Sequence, residues 1–331
     1  MNGCIAKYII EMEDQLHQNV IAELSKTALN EHVIARIGLI ADVQYADKDD
    51  SPYDGHVRQY RLSRTKLKTA ISDFNNAALP LDCVLHLGDI IDGHFKDKEK
   101  TRSDFEDIMV EFDILKASML HTIGNHCLTH DRKELQKGLG LEKGYYRYDL
   151  PKHTNFSILV LDTCDVGLQG SSPELIDEAK KFLEENSDEP QAKPFNGGVG
   201  KEQLNWLKSE LKLAETENRF VIVCGHMPIY APYRLRARVF NHMEVCSVLE
   251  EFPTVVTSYF CGHYHVGGYR RKEKIHHVCI EGMVEVNRKF HGGHAVMSIS
   301  KNGQNEFIFD IIGSGVTSRT LDFKENGSSK L

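Results

Sequence analysis

From residue 33 onward, short apolar runs alternate with stretches of helical periodicity. Runs at 34–41, 83–87, 121–123, 156–161, 220–224, 255–261, 277–280, 295–299 and 307–312 are continuous enough in Val, Ile, Leu and Phe to predict buried strands. Apolar residues at three- and four-residue spacing predict helices over 57–78 (Leu67, Ile71, Phe74), 103–116 (Phe105, Ile108, Phe112), 173–185 and 201–213. Strands and helices alternate early and strands dominate late, which predicts an α/β fold with mixed sheets. The stretch 186–200, with Pro190, Pro194 and three glycines, reads as a loop inside the domain. The expected organisation is one large domain over 33–313, a helical leader over 1–32 (Ile9, Met12, Leu16, Val20, Leu24) and a polar tail over 314–331.

Composition narrows the class. The 331 residues are 41% hydrophobic and 27% charged, an ordinary globular balance. Forty basic against 48 acidic residues leave a net charge of −8, which argues against nucleic acid gripped through bulk positive potential. No apolar run approaches the ~18 residues of a membrane span. The opening residues read as neither a secretory signal nor a myristoylation site. Eight scattered cysteines without a CxxC pair predict free thiols in a reducing compartment. The chain is expected to work as a monomer, with neither membrane nor nucleic acid as a partner.

The candidate chemistry lies where the strands end. Asp42-Val43-Gln44 follows the first strand, Gly88-Asp89 the second and Gly124-Asn125-His126 the third. Later, Gly225-His226 and Gly262-His263-Tyr264-His265 follow two further strands. Open α/β sheets place their ligand sites at these ends. Each motif alone is an unremarkable turn; all five in this order, each at a strand end, are a strong signal. Two carboxylates, two amide oxygens and several imidazoles suit Mn²⁺, Fe²⁺, Mg²⁺ or Zn²⁺. Seven donors are too many for one ion and about right for two sharing a carboxylate. Two ions ~3.5–4 Å apart form a clamp for in-line displacement at phosphorus. His126 stands ready to protonate the leaving oxygen or hold the transition state.

The series D-x-Q, GD, GNH, GH, GHxH over residues 35 to about 300 resembles the calcineurin-like metallophosphoesterase superfamily. That resemblance implies a four-layer α/β/β/α sandwich of two mixed sheets with a dinuclear centre between loops. It implies that Asp42, Gln44 and His265 hold one ion, that Asn125, His226 and His263 hold the other, and that Asp89 bridges. His126 is then the catalytic imidazole, and a metal-bridging hydroxide attacks phosphorus. Two departures from the family pattern stand out. Gln44 replaces a histidine, and an amide oxygen is the poorer donor, so the first ion is expected to bind more weakly and to favour Mn²⁺. Cys127 replaces the acid that usually orients the catalytic histidine, so Asp131 or another acid must do so. Cys127 itself is an alternative nucleophile.

Gln44 and the strings around Asp42, Asp89 and His263 (LIADVQYAD, LGDIIDGH, GHYHVGGY) are similar to the manganese-dependent ADP-ribose/CDP-alcohol diphosphatases. These imply cleavage of the phosphoanhydride of ADP-ribose, CDP-choline, CDP-ethanolamine or CDP-glycerol to a nucleoside monophosphate. Arg58 and Arg61 are candidates for a second phosphate, and Tyr230 and Tyr233 for a nucleobase. Rival readings are a phosphomonoesterase or cyclic-nucleotide phosphodiesterase on the same metals, and a non-catalytic scaffold of the same fold. The last residues, Ser329-Lys330-Leu331, match the address read by the peroxisomal import receptor, so a peroxisome is expected, with the cytoplasm as the alternative.

Overall fold

Alternation of side chains along the strands sorts the apolar residues into two cores. The computed structural model describes residues 32–53, 55–151, 154–286, 292–304 and 306–324. The expected leader, apart from His32, and the Ser-Lys-Leu terminus lie outside the described residues. In chain order the strands are β1 (Val33–Ile40), β2 (Ser51–Tyr53), β3 (His56–Arg58), β4 (Cys83–His86), β5 (Ser118–His121), β6 (Tyr146–Asp149), β7 (Phe156–Val160) and β8 (Phe220–Cys224). They continue as β9 (Val256–Cys261), β10 (Gly268–Lys272), β11 (Ile275–Cys279), β12 (Glu285–Val286), β13 (His294–Lys301), β14 (Glu306–Ser314) and β15 (Arg319–Lys324). The helices are α1 (Tyr60–Asn75), α2 (Lys98–Met109), α3 (Arg132–Gly138), α4 (Pro173–Glu185), α5 (Lys201–Thr216) and α6 (His242–Glu250).

Two six-stranded mixed sheets, ordered β15-β14-β13-β1-β4-β5 and β10-β11-β9-β8-β7-β6, carry the fold, and β12-β3-β2 form a small third sheet. Cys83 and Leu85 of β4, Ile158 of β7, Ile222 of β8, Phe260 of β9 and Met297 of β13 share one core between the large sheets. The intervening residues, Val84, Leu159, Val221 and Val223, turn outward. There they meet the apolar faces of α1 (Leu67, Ile71, Phe74), α2 (Phe105, Ile108), α5 (Leu204, Leu207, Leu211) and α6 (Val245, Leu249). The result is the α/β/β/α sandwich that the resemblance implied. No helix among the described residues is long and apolar enough to cross a membrane.

Three boundaries differ from expectation. The third strand is 118–121, because the chain after His121 already turns toward the site. Residues 110–114 tighten into a 3-10 turn after α2. The polar tail expected from 314 is folded up to Lys324: β14 runs through Ser314, and β15 pairs with it antiparallel. Leu321 and Phe323 are buried while Thr320, Asp322 and Lys324 face out, a two-residue period too short and too charged to stand out in the sequence.

The site lies at one end of the sandwich. β1, β4 and β5 run parallel, as do β7, β8, β9 and β11, so the carboxyl ends of five motif-bearing strands open on a common crevice.

Candidate metal centre

All seven predicted donors converge. Asp89 Oδ2 lies 3.1 Å from Gln44 Nε2 and 3.2 Å from His226 Nε2, so one carboxylate touches both halves of the site. On the first side, His265 Nε2 lies 3.2 Å from Asp42 Oδ1 and 3.3 Å from Gln44 Nε2. On the other, His226 Nε2 is 3.1 Å from Asn125 Oδ1, and donor atoms of Asp89, His226 and His263 lie within 4.8 Å of one another.

The backbone is bent to bring these groups together. Asp42 (φ 50°), Gln44 (φ 42°), Asp89 (φ 57°) and His263 (φ 66°) occupy the left-handed region, where non-glycine residues are uncommon. Such conformations persist where surrounding contacts over-determine them, and they cluster at functional sites. Here the contacts are visible: the Asp42 amide donates to Gly88 O, the Gln44 amide to Asp89 O, and the His263 amide to the Asp42 carboxylate. Gly124 has no room for a side chain, because a Cβ there would run into the carboxylate and amide of Asp89.

Two of the imidazoles are oriented by their far nitrogen. His226 Nδ1–H donates to Leu87 O at 2.8 Å and His265 Nδ1–H to Glu285 Oε1 at 2.8 Å, so each presents Nε2 to the carboxylates. Burial alone would lower the pKa of His226, but the charge and hydrogen bond of Asp89, with help from Asp42, push it up to about 9. Burial is likewise overcome at His265, where Asp42 and Glu285 push the pKa up to about 9. His263, facing other imidazoles, is held well below the usual histidine range by burial and the charge of His226.

The donor set fits divalent cations. Two carboxylates are fully buried with no lysine or arginine among the seven donors, and the oxygen Gln44 Oε1 is buried without a hydrogen-bond partner. Turning that amide over would place the oxygen beside Asp89 and His265, where a bound cation would offset its repulsion from the carboxylate.

His126 stands beside this set. Its amide donates to Asp89 Oδ1 at 2.8 Å, and its ring Nδ1 lies 2.9 Å from Asp92 Oδ1. The orienting acid is therefore Asp92, itself paired with Lys48, and not Asp131, which caps α3 through the amides of Lys133 and Glu134. Against burial, Asp89 and Asp92 raise the His126 pKa above its ordinary value. Cys127 points away from nucleophilic chemistry: it is buried, accepts a hydrogen bond from the Ile90 amide, and burial beside Asp89 pushes its pKa up to about 12. The seven described cysteines are free and buried.

A cavity of about 210 Å³ opens over the donors. Arg58 lines it, held 3.1 Å from Glu285 and packed over Tyr53. Three other candidates fall elsewhere. Arg61 is exposed and paired with Asp47 and Asp49, because it faces outward on α1. Tyr230 packs on His277, and Tyr233 lies behind the wall against Tyr264. The polar and aromatic wall comes instead from Tyr53, Phe195, Arg234, Arg236 and Tyr264. Asp92, Asn196 and Glu285, which hold His126, His263 and His265, were also missed. Asp92 stood within the second motif, in Asp89-Ile90-Ile91-Asp92; Asn196 and Glu285 carry no local signal.

Converging carboxylates, amides and imidazoles at the strand ends of an α/β/β/α sandwich define a metal-dependent phosphoesterase. The family model for calcineurin-like phosphoesterases matches residues 35–267. A human relative, named manganese-dependent ADP-ribose/CDP-alcohol diphosphatase, is 32% identical over 309 residues, covering 83% of this chain and 88% of its own. One from Arabidopsis thaliana with the same name is 33% identical over 269 residues, covering 75% and 86%. Among solved structures, a dimetal phosphatase from Danio rerio aligns at TM-score 0.75 and 25% identity, over 89% of this chain and 100% of that one. GAP50, the anchor in the inner membrane complex of Plasmodium, aligns at TM-score 0.55 and 16% identity, over 89% and 90%, a likeness of fold alone. The chain belongs to the calcineurin-like phosphoesterase family.

Proposed function

We propose that this enzyme hydrolyses the phosphoanhydride bond of nucleoside diphosphate-linked compounds, among them ADP-ribose, CDP-choline, CDP-ethanolamine and CDP-glycerol, with Mn²⁺ as the preferred metal. The observation that carries this is the shared position of Asp89 between two donor groups. Its carboxylate touches Gln44 on one side and His226 on the other, under a cavity lined by arginine and aromatic side chains. The names of the relatives supply the substrate class.

Asp42, Gln44 and His265 would hold one ion and Asn125, His226 and His263 the second, with Asp89 between them. Bound there, two divalent ions would supply an activated water and positive charge at the phosphoryl oxygens. The chain's own residues do the rest. His126, raised in pKa and held through Nδ1 by Asp92, lines the cavity and has Nε2 left for substrate. There it donates a proton or hydrogen bond to the leaving phosphate oxygen. Arg58, Arg234 and Arg236 place guanidinium charge along the cavity wall for the phosphate that departs. Phe195, Tyr264 and Tyr53 offer ring faces to a nucleobase. Water enters one phosphate, the bridging oxygen leaves with the other, and the products are a nucleoside monophosphate and a phosphorylated partner.

A panel of ADP-ribose, CDP-choline, cyclic AMP and p-nitrophenyl phosphate, assayed with Mn²⁺ and with Mg²⁺, tests this. The expected outcome is release of AMP from ADP-ribose or CMP from CDP-choline, faster with Mn²⁺ and abolished by Asp89→Ala. A fully metal-loaded enzyme that cleaves only p-nitrophenyl phosphate or cyclic AMP would overturn the substrate class in favour of a monoesterase or cyclic phosphodiesterase. Full loading with no turnover of any compound would favour a non-catalytic scaffold.

A further inference from the structure

We propose that Asn196 is a positioning residue for the metal centre, whose side-chain oxygen holds the His263 ring with Nε2 protonated so that Nδ1 carries the lone pair offered to a cation. This rests on the reading of His263 as a ligand. Asn196 lies in the loop between α4 and α5 and is buried. Its Nδ2 donates to the carbonyls of Gln191 and Arg236, each at 2.8 Å. Those two bonds use both amide hydrogens and fix which end is oxygen, since the reversed amide would set its oxygen against two carbonyl oxygens. Oδ1, 3.0 Å from His263 Nε2, can only accept, so the ring must donate. A neutral imidazole has one N–H, and Nδ1 is left bare.

This inverts the arrangement at the two neighbouring imidazoles. His226 and His265 donate from Nδ1, to Leu87 O and Glu285, and present Nε2. His263 sits at a left-handed turn with its own amide bound to Asp42, so its backbone is already drawn in against the site. The nitrogen nearer that backbone is the one the geometry leaves for the ion. Asn196 thereby joins three segments: its own loop, the Arg236 segment at the cavity wall, and the turn after β9. Asparagine alone matches the demand at this point for two donors and one acceptor on a short side chain; aspartate lacks the donors and leucine lacks all three groups.

The test combines long-range ¹H–¹⁵N spectra of the metal-free wild-type protein with Mn²⁺ titration calorimetry of wild type, Asn196→Leu and His263→Ala. The expected spectrum shows His263 protonated at Nε2 with an unprotonated Nδ1. The expected titrations show Mn²⁺ binding weakened ~10–100-fold in Asn196→Leu, the range for loss of a residue that orients a ligand, and at least as much in His263→Ala. A His263 ring protonated at Nδ1 would overturn the proposal, whether or not the leucine variant folds. So would a folded Asn196→Leu protein that binds Mn²⁺ like wild type while His263→Ala does not. Undiminished binding in His263→Ala would instead remove His263 from the ligand set, and the functional reading would fail at that residue along with the proposal.

Discussion

His126 and its neighbours show how one position can be exchanged without losing its chemistry. The chain has Cys127 where an acid would orient the histidine, and Asp92 does that work from the end of the preceding motif, 2.9 Å from Nδ1. Cys127 contributes packing beside the Ile90 amide. Removing the imidazole should therefore cost rate without disturbing the metals. His126→Ala is expected to lower kcat by ~10²–10⁴, the usual contribution of a positioned acid or base, while Mn²⁺ stoichiometry by equilibrium dialysis stays at the wild-type value. Asp92→Asn should lower kcat in the same direction and by less, because the ring keeps its place and the charge of Asp89 but loses that of Asp92, the smaller of the two that raise its pKa. If His126→Ala turned over substrate at the wild-type rate, the imidazole would have no part in the reaction.

At the level of elements, the site depends on strands that stop where the chain can turn sharply. Gly124, after β5, is the tightest of the glycines that directly precede donors: any side chain there meets the Asp89 carboxylate. Gly124→Ala is expected to fold, since the strands are intact, but to lose Mn²⁺ binding and activity together, measured by calorimetry and ADP-ribose turnover. Unchanged Mn²⁺ affinity in that variant would mean Asp89 is free to move. The same elements explain what could be read from the sequence. Strands β1, β4, β7, β8, β9 and β13 are apolar runs buried from both sides, β14 is apolar with one face buried, and the donors directly follow strands or their short extensions. Strands β6 and β10 are rich in Tyr, Arg and Lys because they lie at the sheet edge, half-exposed, and they gave no apolar run. The small β12-β3-β2 sheet has strands of two or three residues, too short for any period to show. Arg61 lies away from the cavity lining, which the sequence could not show because it places the residue on a helix without saying which face meets the cavity. Asn196 and Glu285 reach the site from loops and a short strand that only tertiary packing brings near.

For the whole molecule, buried neutral histidines set the acid limit of stability. Burial holds the pKa of His121 down to about 4, and burial with the nearby Lys272 charge holds that of His277 down to about 3. In the unfolded chain both return to the ordinary value near 6.5. As pH falls below about 6.5 the unfolded state takes up protons first, so stability is lost progressively until the folded-state pKa values are reached. The loss is on the order of a few kcal/mol per group. The urea midpoint of the metal-free protein is expected to fall as pH drops from 6.5 to 4, where His121→Gln should flatten part of the slope, and to fall again as pH rises from 6.5 through 9, where His226 and His265, raised to about 9 in the folded chain, give up their protons. A midpoint that rose as pH dropped from 6.5 to 4 would contradict the burial of neutral imidazoles.

The most direct test of the account is the number of ions the folded chain takes up. Metal-stripped protein dialysed against Mn²⁺ and analysed by elemental mass spectrometry is predicted to hold two ions per chain, and Asp89→Ala, lacking the shared carboxylate, fewer than two. One ion or none in the wild type, or two retained undiminished by Asp89→Ala, would contradict it.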